Sequence, residues 1–208
     1  MIQLFDYSGV AVFAATGALA ASRKQLDIVG FLFLASITGV GGGTLRDILL
    51  GKLPVFWVAD PGYVAVTIAV GAILYFAAPL VEYRYRLLLW LDAIGLAAYC
   101  VLGAALGLAA GAPALVAVVT GVMTATFGGL LRDVVAGEPS VLMRREIYVT
   151  AALAGAATFV GLATAGLEPP LAAGIAALLA FSIRGGAIAF GWTLPGYRGR
   201  PGRSPDQA

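Results

Sequence analysis

Histidine is absent from the 208 residues, and cysteine occurs once. Without an imidazole there is no Ser–His or Cys–His nucleophile pair, and the commonest zinc and haem ligand is missing. Cys100 alone forms no intrachain disulfide, and in its apolar run it reads as a small buried hydrophobe rather than a reactive thiol. Charge is scarce as well: only 12% of residues are Asp, Glu, Lys or Arg, against about 25% in soluble domains. The net charge of +2, with basic residues spread over loops, argues against a nucleic-acid partner. The expectation is a protein that is not an enzyme and needs no cofactor and no metal.

What is abundant is apolar surface. Residues of the AVILMFWYC set make up 61% of the chain, and the mean hydropathy is +0.95. A soluble globule of this length cannot hide so much apolar surface. Seven stretches approach the roughly 20 apolar residues that cross a bilayer: about 4–22, 27–50, 60–79, 87–110, 113–137, 146–166 and 169–190. The first lacks the basic start of a signal peptide and is read as a retained span. Residues 191–208 become Gly, Pro and Arg rich and are expected to form a flexible, solvated tail. One side of this topology carries Arg23, Lys24, Arg84, Arg86, Arg144, Arg145, Arg198, Arg200 and Arg203, and the other side only Lys52. The positive-inside rule then puts the N-terminus outside and the C-terminus in the cytoplasm, in the cell (inner) membrane.

The chain also repeats itself. A shift of 86 residues, without gaps, lays Asp6 on Asp92, Gly9 on Gly95, Gly17 on Gly103 and Thr38 on Thr124. The same register lays Gly42-Gly43 on Gly128-Gly129, Arg46-Asp47 on Arg132-Asp133, and Gly51 on Gly137. Each unit (about 4–79 and about 87–166) holds three spans. An odd number predicts that the second unit is inserted upside down, as in many transport proteins. The seventh helix, about 169–190, stands outside the repeat, so a single transmembrane domain over 1–190 is expected.

Spans two and five carry Gly41-Gly42-Gly43 and Gly128-Gly129 in their interiors, each just before an Arg-Asp pair. Glycine costs about 1 kcal/mol in a helix interior, and its clusters permit kinks. This pattern predicts two helices broken at the glycines, facing each other across an ion pathway. Its residues would be Thr38, Gly41, Gly42, Gly43, Arg46 and Asp47, with Thr124, Gly128, Gly129, Arg132 and Asp133. An ionisable group at a helix centre costs ~2.5–3.5 kcal/mol on insertion scales. The four charges therefore either clamp the repeats together or set the field along the pathway, and the two roles are compatible. Asp6 and Asp92 read as favourable charges near helix starts or as a cation-attracting mouth. Arg184 reads as snorkelling towards the cytoplasm or as lining the path. Gly103, Gly107 and Gly111 form a small-residue ridge suited to close helix packing. The aromatics Phe56, Trp57, Tyr63, Tyr83, Tyr85, Trp90 and Trp192 read as interface anchors.

At these residues the sequence resembles the prokaryotic members of the trimeric intracellular cation (TRIC) channel family, also catalogued as a duplicated "glycine transporter" membrane domain. The resemblance rests on Gly41 to Asp47, Gly128 to Asp133, Arg145-Glu146-Ile147-Tyr148, Ile183-Arg184 and Trp192-Thr193-Leu194-Pro195. It implies a seven-helix protomer of two inverted repeats plus one helix. It also implies a homotrimer with a pore in each protomer lined by the second and fifth helices, passing monovalent cations with a preference for K+, in contact with membrane lipid. One departure stands out: animal members carry a lysine motif in the pore helices, where this chain has arginine.

Three functions compete. A potassium-permeable channel accounts for both glycine clusters and all four charges. A secondary transporter of a small solute such as an amino acid uses the same architecture, but it wants a lone coupling acid at the midplane, and the acids here stand beside arginines. A helical scaffold would leave the buried charges without purpose.

Overall fold

The computed structural model describes residues 2–80, 83–140, 143 and 145–195, with side chains from residue 6 onward. Within them the chain is all helical: α1 (Ile2–Arg23), α2 (Ile28–Leu49), α3 (Phe56–Ala59), α4 (Gly62–Ala77), α5 (Arg84–Ala109), α6 (Ala114–Val135), α7 (Val149–Thr164) and α8 (Pro169–Phe190). A 3-10 turn, Ala78–Leu80, extends α4. Five of these, namely α2, α4 with its turn, α5, α6 and α8, are long and apolar enough to cross a membrane, and α7 is a shorter apolar helix. Their outward faces carry large apolar side chains, among them Phe33, Ile73, Phe76, Leu115 and Leu178. The protein is a multi-pass membrane protein.

Local chemistry sets the helix ends. Asp27 caps α2 by accepting from the Gly30 amide at 2.8 Å. Pro113 precedes α6, Pro169 and Pro170 open α8, and Gly191 closes α8 in the left-handed conformation. The 86-residue register reappears in the fold: it carries Ile28–Leu49 onto Ala114–Val135 end for end, and the last residue of α1 onto the last of α5. The matching loops turn alike, for Gly51 and Gly137 both adopt positive φ. The Lys52 amide donates to the Asp47 carbonyl, as Glu138 does to Asp133, each at 2.8 Å.

Helices α1, α2 and α4 pack as one group and α5, α6 and α7 as another. The groups meet chiefly where α2 packs on α6 and α1 on α5, and α8 lies against α5 and α7. The core is rich in small residues, including Ala14, Ala18, Ala104, Ala117, Ala125 and Ala156, all fully buried. On the surface, Arg23 meets Glu138 at 3.1 Å, joining the loop after α1 to the loop after α6.

Two expectations need correction. The helices expected to break at their glycines do not: α2 and α6 run through Gly41–Gly43 and Gly128–Gly129 without interruption. The glycines serve close approach instead. The chain after α8 is also less free than a solvated tail, because Leu194 donates its amide to the Arg145 carbonyl at 3.0 Å and Thr193 forms a β-bridge with Glu146. Arg144, Arg198, Arg200, Arg203 and the rest of the tail from residue 196 lie outside the described residues.

Candidate functional site

Where α2 crosses α6, two glycines let the backbones touch. A Cβ on Gly42 would overlap the Thr124 carbonyl oxygen, and a Cβ on Gly128 would stand 2.5 Å from the Thr38 carbonyl oxygen. Each half thus presents its glycine to the other half's threonine, a reciprocity that a two-fold relation between the halves produces. Thr38 and Thr124 return their hydroxyls to the carbonyls four residues earlier, Leu34 and Thr120, at 2.6 Å in both cases. Their polar groups are thereby satisfied inside an apolar contact. Gly41 meets Leu131, Gly43 lies under the Phe56 ring, and Gly129 under the Tyr148 hydroxyl.

One turn further along each helix stands its Arg-Asp pair. Arg46 is 2% and Asp47 0% exposed, while Arg132 and Asp133 are 5% and 6% exposed. In both, the arginine folds back on its neighbour: Arg46 Nε and Nη2 lie 2.8 Å from Asp47 Oδ1, and the Arg132 equivalents 3.0 and 2.9 Å from Asp133 Oδ1. The pairs then diverge. Arg132 Nη1 also meets Asp92 Oδ1 at 2.8 Å. Asp47 uses its second oxygen to accept the Phe56 amide at 2.8 Å, which fixes the start of α3. The Phe56 ring lies 5.4 Å from the Arg46 guanidinium carbon, a cation–π distance.

Asp92 lies two turns inside α5 and is 2% exposed, so it acts as an ion-pair partner rather than as a helix-start charge. Asp6 is half-buried and accepts from Tyr99 and Tyr63, at 2.8 and 3.2 Å. Arg184 does not snorkel. It is 2% exposed, donates to Glu146 Oε2 at 2.8 Å and to the Ile147 carbonyl at 3.3 Å, and lies 5.0 Å from the Tyr148 ring. Asp92, Arg132, Asp133, Glu138, Glu146 and Arg184 line a cavity of about 20 Å³ where α1, α5, α6 and α8 converge, roughly room for one water. Arg184 Nε is buried there, and the Tyr148 hydroxyl beside Gly129, each without a hydrogen-bond partner among the described residues.

The structure therefore brings together Thr38, Gly41 and Gly42 with Thr124 and Gly128 at the crossing; it leaves the pair Arg46 and Asp47 and the pair Arg132 and Asp133 bonded each within its own half, and adds Asp92 to the second pair. Sequence reasoning missed the inward roles of Phe56, Tyr63 and Tyr99. It placed the first two among interface anchors, yet Tyr63 is 5% exposed and Trp57 donates its indole N–H to Thr44 at 2.9 Å. Among the described residues no group of three or more His, Cys, Asp and Glu side chains is placed to hold a metal ion.

Comparison with known proteins places this arrangement. The sequence model of a family described as "Glycine transporter" matches residues 3–79 and again 89–164. The chain is 41% identical over 159 residues to a UPF0126 membrane protein of Vibrio cholerae, covering 74% of this chain and 65% of that protein. It is 40% identical over 159 residues to the UPF0126 inner membrane protein YadS of Escherichia coli, covering 74% and 75%. In structure it is similar to the TRIC trimeric intracellular cation channel orthologue from Rhodobacter sphaeroides, with a TM-score of 0.89 and 50% identity over 91% of this chain and 97% of that one. A prokaryotic TRIC channel crystallised in 0.5 M KCl superposes with a TM-score of 0.85 at 27% identity, covering 92% and 98%. These solved relatives are membrane channels rather than enzymes.

Proposed function

The chain belongs to the prokaryotic TRIC channel family, whose domain is also described as a glycine transporter, and from that membership we propose that it is a potassium-permeable monovalent cation channel, a homotrimer with one pathway per protomer. The topology proposed is seven spans over residues 1–190, as two inverted repeats and a seventh helix, with the N-terminus outside and the C-terminus cytoplasmic. The contact between Arg23 and Glu138 supports it by putting the first and fifth loops at one end.

The observation that carries the reading is the burial of two Arg-Asp pairs at equivalent places on crossing helices. Charges at this depth are retained where they face a pathway or each other. On this reading the conformation described here is a closed one. The α2–α6 crossing is backbone against backbone, and beside it Arg132 is tied to Asp92 and Asp133. Conduction on this reading needs the guanidinium groups beside the crossing to exchange carboxylate partners and let a cation past.

The test is planar-bilayer recording of the purified protein under an asymmetric potassium chloride gradient. Discrete current steps that reverse near the potassium potential are expected. Silent bilayers, with saturable solute uptake by liposomes of the same protein, would overturn the channel reading in favour of the transporter suggested by the family's description.

A further inference from the structure

The two halves carry the same parts but bond them differently. In the second half Arg132 Nη1 meets Asp92 Oδ1 at 2.8 Å. Their counterparts in the 86-residue register are Arg46 and Asp6. Arg46 Nη1 is buried without a hydrogen-bond partner among the described residues. Asp6 is held instead by phenols: the Tyr99 hydroxyl donates to Oδ1 at 2.8 Å and the Tyr63 hydroxyl to Oδ2 at 3.2 Å. Tyr99 lies within electrostatic reach of both Asp6 and Arg46.

One atom accounts for much of the difference. Tyr99 covers Gly9, where a Cβ would overlap its ring, and Phe13 covers Gly95, where a Cβ would stand 3.0 Å from its ring. Gly9 corresponds to Gly95 in the register, and Phe13 to Tyr99. The two rings thus hold equivalent places, and they meet edge to face with centroids 5.4 Å apart. Only one ends in a hydroxyl. The ring from α5 reaches Asp6 as a phenol, whereas the ring from α1 has nothing to donate to Asp92, which pairs with Arg132. The electrostatic consequence is sharp, because a phenol hydrogen bond leaves a carboxylate its negative charge and a guanidinium cancels it.

We propose that the Tyr99 hydroxyl is a positioning group that keeps Asp6 away from Arg46, so that at one end of the pathway Asp6 has phenol partners in place of a guanidinium, while at the other Asp92 and Asp133 share Arg132. The functional consequence rests on the channel reading above: Asp6, so held, draws cations to its end of the pathway.

Two measurements test it. In planar bilayers, Tyr99→Phe lowers the potassium current several-fold, Asp6→Asn lowers it similarly, and the double variant is no lower than Asp6→Asn. A Tyr99→Phe current equal to the unmodified protein's, or an equal further loss in the Asp6→Asn background, overturns the proposal. The second readout does not depend on conduction. Melting shifts of Asp6→Asn and Arg46→Gln in detergent add in the unmodified background and fail to add once Tyr99 is Phe, because the two side chains then pair. Additive shifts in both backgrounds overturn the proposal. A protein that is silent in bilayers yet shows this change in additivity would sink the channel reading and leave the Tyr99 assignment standing.

Discussion

At the scale of single residues, the glycines of α2 and α6 separate by what stands opposite them. Gly42→Ala drives a methyl group into the Thr124 carbonyl. Overpacking of this kind costs about 1–3 kcal/mol, so a clear drop in melting temperature in detergent is expected. Gly161 lies in α7 with nothing within 4 Å of a Cβ. Gly161→Ala therefore gains up to about 1 kcal/mol of helix propensity, and its melting temperature holds or rises. Equal losses for both variants would refute the close-contact account of Gly42. Asp92→Asn removes one of the two carboxylates bonded to a 5% exposed guanidinium. Removing the partner of a buried charge costs about 3–5 kcal/mol, and somewhat less here because Asp133 stays on Arg132. This variant should lose more in the same melt than Lys52→Gln, whose side chain is exposed.

At the scale of elements, much of the bundle was legible before any coordinates. Charges are so few in this chain that two Arg-Asp pairs at one fixed offset stand out, and the apolar stretches fall close to the long helices. Less legible was what the glycines do. A cluster of them permits either a break or a close crossing, and only the partner helix decides; here the Thr38 and Thr124 carbonyls occupy the space a side chain would need. Four-residue α3 was overlooked because Phe56 and Trp57 read equally well as interface aromatics. It is tied to α2 through the Asp47 bond to the Phe56 amide and the Trp57 bond to Thr44. Trp57→Phe removes the second tie alone, at about 1 kcal/mol, and proteolysis or hydrogen exchange of residues 52–60 should accelerate while α8 stays protected. Likewise the inward turn of Tyr99 depends on the rotation of α5, which an apolar helix with many aromatics does not declare. On the proposed function, Arg46→Ala combined with Arg132→Ala strips the pathway of both guanidinium groups. A shifted reversal potential or altered unitary current is expected from this pair, and unchanged flux and selectivity would move the pathway elsewhere.

At the scale of the whole molecule, the proposed orientation makes a labelling prediction. In a Cys100→Ala background, a cysteine at Lys52 should react with a membrane-impermeant thiol reagent added outside intact cells, and one at Lys24 only after lysis. Reaction of both from outside would reverse the topology. The background is suitable because Cys100 is fully buried. Finally, the adjacency of arginine and aspartate bears on how the chain enters the bilayer during synthesis. Arg46 and Asp47 are neighbours in one helix and bond at 2.8 Å, so their opposite charges travel together. When the ribosome delivers α2 to the insertion machinery, α6 has yet to be translated and its partner contacts do not exist. A segment that brings its own counter-ion enters as a nearly neutral unit, sparing part of the ~2.5–3.5 kcal/mol that each bare charge would cost. Each half is thereby made competent for insertion on its own, and docking of α2 onto α6 is left as a later, separate step of biogenesis.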